Sequence, residues 1–402
     1  MKQYGFVGRS LFFSVLLASK AIADIQNEII SWVRSKGGSF SEKLEIRRVD
    51  PENPASYLGV FAKERVGAKE DLFHIPRDCF IHIFEAAKDT NQEDIQESME
   101  AYLYNVCTLV HKLKSEMELG EDSDYAPYIA YLKTQKPGQL PVHWSTEGRD
   151  ILRQIAYPGS SIVDWIDWNY VEKKCIDNDP FERHMVEMTI QRCFDTALIP
   201  ILDMLNHDNG RVNTENNSMH DLDGIKVRAK RNLEAGEEIF SSYDLCVDCS
   251  DISDEWGTPE ILRDFGFVEN YPHRWIFLAQ NIWIEIHKRN GQLLLYFGEE
   301  NGQEPIAYSE EQIRFLRDEF ERLEKVGASV LQNQGSVPDH EWYTILQFHK
   351  AATSDMTDIL GFLDNQEHSA NRSRVFPLKY IGDLDNPTTS TTSSDTCDTG
   401  RR

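Results

Sequence analysis

The chain reads as an α+β protein of small, twisted β-sheets, not one doubly wound sheet, and three features of the sequence carry that reading. Segments of β-type composition are short and cut off by turn residues. A stretch of helical period interrupts them, and beyond about Trp283 the pattern turns to a hairpin followed by helices. With 402 residues, 40% hydrophobic and 11% aromatic, the chain has material for a sizeable core and a second, smaller one.

Taken in order, the strand segments are Leu44 to Val49, Gly59 to Ala62, Leu72 to Ile75, Ile225 to Ala229 and Ile239 to Tyr243. Between Gln92 and Gly120, Met99, Leu103, Val106, Val110 and Leu113 recur every three or four residues, which predicts a helix ending at Gly120. A second helical stretch covers Tyr170 to Thr196 and delivers the chain to Asp203. Gln292 to Phe297 has hairpin character. Ser309-Glu310-Glu311-Gln312 has capping-box spacing, and Ile313, Leu316, Phe320 and Leu323 form one apolar face ending near Gly327. A last helix starts near Pro338 with Trp342, Ile345 and Leu346 inward, and the Thr/Ser/Asp-rich tail from Asn386 to Arg402 is too polar to fold.

Two segments carry a resemblance: Asp203-Met204-Leu205-Asn206-His207-Asp208 and Gly236-Glu237-Glu238-Ile239-Phe240-Ser241-Ser242-Tyr243. Together they resemble the active-site halves of a SET-domain methyltransferase, and Ala197-Leu198-Ile199-Pro200-Ile201-Leu202 before them resembles the branch of the Rubisco large-subunit lysine methyltransferase. Flanking landmarks follow in family order: Trp32 to Gly38, Leu44 to Arg47, Tyr57-Leu58-Gly59-Val60-Phe61-Ala62, Ile75-Pro76-Arg77, Leu119 to Ser123, and Glu260 to Val268. The resemblance implies a SET fold with a knot-like crossing over residues 24–285, a helical insertion at about 88–195, and a short, mostly helical C-terminal domain over 286–365 of the substrate-binding kind. It further implies a methyltransferase that uses S-adenosyl-L-methionine to modify a lysine of a non-histone protein, with no metal. A non-catalytic protein-binding module of the same fold and a protein-histidine methyltransferase stay open as alternatives.

The same resemblance assigns roles. Tyr243 matches the catalytic tyrosine, and Asn206 and His207 match the pair that grips the cofactor. Arg192 matches an arginine at the cofactor's carboxylate end, where a charge-assisted bond is strong. Phe267 falls where an aromatic ring packs on adenine, Leu58 and Gly59 where backbone meets cofactor, and Asp203 where the crossing is anchored. Phe194, Leu202 and Phe265 border the substrate channel, and the apolar character of Phe194 and Leu202 suits an alkyl chain. A lysine at its ordinary pKa of ~10.4 is a poor nucleophile, and desolvation in such a channel favours its neutral form. Three positions depart from the family pattern. Tyr57 replaces a glycine, Asp244 replaces the glycine after the tyrosine ahead of an insert holding Cys246-Val247-Asp248-Cys249, and Phe265 replaces a tyrosine.

Lys2 and Arg9, the apolar run Leu11 to Ala23 and the ending Ala21-Ile22-Ala23 predict a secretory signal over residues 1–23, cleaved before Asp24, with a transit sequence or a frayed helix as alternatives. The run is too short for the ~20 residues of a membrane span. Seven scattered cysteines are few for a disulfide scaffold, so most are expected to be core thiols. Cys246 and Cys249 lack partners for a zinc site and are either a local disulfide or a reduced loop. Two glycosylation sequons begin at Asn216 and Asn371. A net charge of −25 argues against nucleic acid as a partner; it would steer a basic protein substrate favourably, with a generally acidic, solvated surface as the alternative meaning.

Overall fold

The first helix, α1 (25–35), buries Ile29 and Val33, one turn apart on the same face. It belongs to a computed structural model that describes residues 25–53, 56–84, 99–157, 160, 162–164, 171, 173, 175–176, 179–194, 196–243, 256–289, 292–298, 308–332 and 334–368. The leader, the tail, Asp244, Asn371 and the Cys246 and Cys249 pair lie outside these residues.

The strands are short, as their composition requires. In one sheet β1 (Ser39–Phe40), β4 (Asp71–Ile75), β10 (Ile225–Ala229) and β9 (Thr214–Asn216) lie in the order β1-β4-β10-β9. Ile225, Val227 and Ala229 point inward while Lys226 and Arg228 face water, the period-two alternation of a half-buried strand. A second sheet runs β2-β3-β11-β8, from β2 (Leu44–Arg48), β3 (Leu58–Ala62), β11 (Glu238–Ser241) and β8 (Asn206–His207). A third joins β5 (Ile81–His82), β7 (Ala197–Leu198) and β6 (Cys193–Phe194). Strand β11 pairs antiparallel with β3 but parallel with β8. The chain therefore leaves β8, makes β9 and β10 in another sheet, and returns beside β8 in the same direction. That return is the crossing.

The insertion supplies α2 (Met99–Leu119), α3 (Ala126–Leu132), α4 (Thr146–Ile155) and α5 (Pro180–Arg192). Helix α2 buries Leu103, Val106, Val110 and Leu113 and stops before Gly120. The second helical stretch is interrupted: Val171 and Lys173 are helical, a turn follows at Cys175, and a new helix, α5, takes over. It begins at Pro180, where the Asp179 side chain caps Phe181 N, and it ends at Arg192 because Cys193 and Phe194 are extended in β6. One expectation about thiols is corrected, since Cys107 of α2 is disulfide-bonded to buried Cys175 across 68 residues of chain. Cys79 stays a buried thiol, its pKa pushed up to about 12 by desolvation.

After α6 (Thr258–Phe265), the C-terminal region starts with a three-stranded meander, not the lone hairpin read from Gln292 to Phe297: β12 (His273–Phe277), β13 (Ile282–Arg289) and β14 (Gln292–Gly298). The alternation of β13 was masked because Glu285 and His287, on its other face, are also buried. Helix α7 (Glu310–Gln332) carries the expected capping box, with Gln312 N donating to Ser309 Oγ and Ser309 N donating to Gln312 Oε1. It continues past Gly327 because α8 (Asp339–His368) crosses there, and a Cβ at Gly327 would sit 2.7 Å from the His349 ring.

The described residues form two apolar cores. One holds Val33, Val60, Phe73, Leu113, Met185 and Ile239. The other holds Ile284, Leu316, Ile345, Phe348 and Ile359, and it also claims Trp144, Ile151, Leu152 and Ile155 of the α4 segment. Glu341 of α8 fixes that attachment by accepting from Ser145 N at 2.9 Å and Ser145 Oγ at 2.6 Å. Helix α4 is thus inserted in the first domain by sequence and packed on the second by contact. Among the described residues, no helix is long and apolar enough to cross a membrane.

Candidate active site

Three adjacent strands of the second sheet, β3, β11 and the edge strand β8, bring Leu58, Gly59, Asn206 and Glu238 together. Asn206 Nδ2 donates to Leu58 O at 3.0 Å and to Glu238 Oε1 at 2.6 Å, so both its protons are committed to the walls of one groove. Gly59 is required here: a Cβ would lie 2.5 Å from Glu238 Oε1 and 2.9 Å from Asn206 Nδ2. Burial raises the pKa of Glu238, with Asn206 and Arg211 opposing. Tyr57, at the position of the absent glycine, takes no left-handed backbone, and its 65% exposed ring stands at the mouth of this groove within the fields of Glu238, Arg211 and Asp208. The far edge of β11 is tied by fully buried Asn213, whose Oδ1 accepts from Phe240 N at 2.8 Å while its Nδ2 donates to Glu238 O at 2.8 Å.

Past β11 the chain leads directly to Tyr243. Its hydroxyl donates to Leu205 O at 2.8 Å, and its amide N donates to His207 Nδ1 at 3.0 Å. Burial raises the Tyr243 pKa well above the ordinary value, so the group is a neutral hydroxyl and no base. Its ring lies 4.6 Å from Phe265, 5.2 Å from His207 and 6.4 Å from Phe267, and Trp256 joins the cluster at 6.3 Å from Phe265. This is a mostly apolar wall around one hydroxyl.

Arg192 approaches from the end of α5. Its Nη1 meets Tyr131 Oη at 3.1 Å, Asp203 O at 3.2 Å and Asp203 Oδ2 at 3.3 Å, and its Nη2 meets Gln135 Oε1 at 2.5 Å. Tyr128 Oη donates to the same Asp203 Oδ2 at 2.9 Å. Burial raises the Asp203 carboxyl to about 6, against the pull of Arg192 and Tyr128, which leaves it ionised at neutral pH. The turn presenting Asp203 is strained: Ile201, buried and β-branched, has φ of 68°, a conformation costing ~1–3 kcal/mol. Behind Arg192, buried Glu187 accepts from Gly138 N at 2.8 Å, Gln139 N at 2.5 Å and Leu140 N at 2.9 Å, which fixes the loop carrying Gln135. Burial would raise the Glu187 pKa, but His143, His184 and these amides hold it far below the carboxylate range.

Of the residues singled out from sequence, Leu58, Gly59, Asn206, His207, Tyr243, Phe265 and Phe267 meet around β11, while Arg192 and Asp203 form the adjoining ion pair. Phe194 lies half-buried in β6 against the first core, and Leu202 is inside that core at 3% exposure. Sequence reading passed over Asn213, Glu238, Tyr128, Tyr131, Gln135, Trp256 and Glu269. For Asn213 a signal existed in its place seven residues after Asn206; the others are assembled by contacts far apart in the chain. The arrangement also fits a bound polar ligand. Arg192 Nε and Asp203 Oδ1 are buried with no partner among the described residues, and at Gly59 any side chain would collide with Glu238 and Asn206.

Comparison places this geometry in a class. The SET domain family model matches residues 58–244 of the chain. Its fold is that of the Rubisco large-subunit methyltransferase branch: a structure of Rubisco LSMT bound to AdoMet superposes with TM-score 0.51 at 12% identity over 91% of this chain and 97% of that one. One bound to sinefungin and monomethyllysine superposes with TM-score 0.50 at 13% identity and the same coverage. In sequence the chain is 23% identical over 372 residues to the N-lysine methyltransferase setd6 of Danio rerio, covering 82% of this chain and 74% of that one, and 23% identical over 381 residues to setd6 of Salmo salar, covering 84% and 76%.

Proposed function

We propose that the protein is an S-adenosyl-L-methionine-dependent protein-lysine N-methyltransferase acting on a non-histone protein. The observation that carries this reading is the meeting of Asn206, Gly59 and Tyr243 through the parallel pairing of β8 with β11, beside the Arg192 and Asp203 pair. A module that only binds a partner has no need of that set.

Leu58, Gly59, Asn206 and His207 would hold the cofactor, with Arg192 and Asp203 available to its amino-acid end and Phe267 to its adenine. When bound it supplies an electrophilic methyl group for in-line transfer to an amine. The protein's own part is placement and drying. Tyr243 hydrogen-bonds its hydroxyl proton to Leu205 O, so its oxygen lone pairs would be free to help align the reactants. The rings of Phe265, Phe267 and Trp256 exclude water, which favours the neutral lysine amine; Leu202, expected to border the channel, is inside the first core instead. We further propose passage through the secretory pathway, directed by residues 1–23 and supported by the Cys107 to Cys175 disulfide, which suits an oxidising compartment.

The test is calorimetric titration of the purified protein with S-adenosyl-L-methionine, followed by mass spectrometry of proteins methylated in an extract of the source. Saturable binding lost in Asn206→Ala, with methyl-lysine as product, is the expected outcome. Absence of binding at millimolar cofactor, or methyl-histidine as the only product, refutes it.

A further inference from the structure

Two histidines stand in series between Tyr243 and α8, and their partners dictate their protons. His207 Nδ1 accepts the Tyr243 amide proton, so the ring's proton is on Nε2, which lies 3.0 Å from Glu269 Oε2. Glu269 is 7% exposed and accepts a second bond from Thr258 Oγ1 at 2.6 Å. The next histidine differs. His273 Nε2 faces Glu269 O at 3.1 Å and its Nδ1 faces Asp355 Oδ2 at 2.7 Å. Both neighbours are acceptors only, so His273 donates from both nitrogens and is an imidazolium. Asp355, fully buried on α8, takes two more donors, Tyr271 Oη at 3.0 Å and Trp275 Nε1 at 2.7 Å.

We infer that Glu269 is a positioning residue of the active site, holding His207 in the Nε2–H tautomer that orients the Tyr243 backbone, and that His273 and Asp355 anchor it to the C-terminal helix. Glu269 follows Phe267 by two residues. It therefore sets, from one short segment, both the ring beside the site and the histidine beneath it. The consequence for catalysis rests on the methyltransferase reading; the proton assignments do not. Without the Glu269 acceptor, the His207 ring keeps only the Tyr243 N–H to hold Nδ1 bare, and in the other tautomer an Nδ1–H would confront that N–H.

The test uses the full chain with 15N-labelled histidine at pH 6.5, the two resonances being assigned from His207→Gln and His273→Gln. His207 is expected as the neutral Nε2–H tautomer, and His273 as doubly protonated. In Glu269→Ala, His207 should become a mixture of tautomers and S-adenosyl-L-methionine affinity should fall at least fivefold. Glu269→Gln should restore affinity to within about twofold, because its oxygen still accepts from His207 while the Thr258 hydroxyl can accept from its amide. A merely structural role would not separate those two variants. An Nδ1–H tautomer for His207 in the wild type, a neutral His273 at pH 6.5, or equal effects of Ala and Gln overturns the inference. Should Glu269→Ala fail to fold, the wild-type spectrum and the Gln variant decide. If wild-type protein binds no cofactor, the methyltransferase reading falls, and the tautomer of His207 still tests the relay.

Discussion

Replacing Gly59 by alanine adds one methyl group where the groove has no room for it. The new Cβ would lie 2.5 Å from Glu238 Oε1 and 2.9 Å from Asn206 Nδ2, against an ordinary contact of 3.4 Å or more. Both atoms end side chains that can turn, so the backbone survives and the strain falls on the 2.6 Å bond between them. A hydrogen bond to a charged group contributes ~1.5–3 kcal/mol. If most of it is lost and Asn206 swings into the groove, cofactor affinity should fall roughly 10- to 100-fold, at ~1.4 kcal/mol per factor of ten. Calorimetric titration with S-adenosyl-L-methionine measures this directly, and a thermal melt alongside should shift by no more than a few degrees. Affinity within twofold of wild type would refute the cradle argument, since it would mean that Gly59, Asn206 and Glu238 do not wall the cofactor groove.

Tyr243→Phe keeps the ring in its aromatic cluster and removes only the oxygen, so binding should be unchanged while single-turnover methyl transfer slows by at least ~10²-fold, the range for a lost electrostatic contact at the reacting centre. His273 is faced by Asp355 from α8, by Glu269 and Tyr271 from its own segment, and across Tyr271 by Lys288. Burial would lower its pKa, but Asp355 raises it above 6.5. A raised histidine pKa gives stability that is complete below the unfolded value and is lost as pH rises through the folded one, so the melting temperature should decline from pH 6.5 upward in wild type and stay flatter in His273→Gln. Cys107→Ser should cost ~4 kcal/mol on the loop-closure model for so long a loop. Non-reducing peptide mapping of native protein should recover Cys107 linked to Cys175; both found alkylated would remove that support for an oxidising compartment.

How much of this was legible in the sequence depends on range. Asn206, His207 and Tyr243 could be read because two local motifs carry them, and the capping box at Ser309 because its partners are three residues apart. The second helical stretch was read as continuous, although it breaks between the helical Val171 and Lys173 and the cap at Asp179, and it stops at Arg192 instead of reaching Thr196. Strand β13 was missed because Ile282, Ile284 and Ile286 fill one face while Glu285 and His287 are buried on the other, paired with each other and with Arg274. A strand with both faces covered has no polar alternation to read. The placement of α4 in the second core is not a local property at all: it depends on Glu341, far along the chain, capping Ser145.

The buried carboxylates at and behind the site share a physical role. Glu187, Asp203, Glu269 and Asp355 are carboxylates buried to 8% exposure or less, and each is surrounded by fixed donors. Burying a charge is costly unless it is paired and hydrogen-bonded, so such a group persists only where its environment is built around it. Each one here fixes something the reaction uses: Glu187 the loop of Gln135, Asp203 the guanidinium of Arg192, Glu269 the ring of His207, Asp355 the histidine behind it. Methyl transfer to an amine asks for alignment, and Tyr243 is held neutral where a base would have to ionise. The buried charge in this protein therefore serves geometry. Its removal at Asp203 or Glu269 should appear as lost alignment, with binding and transfer rate affected, before it appears as lost fold.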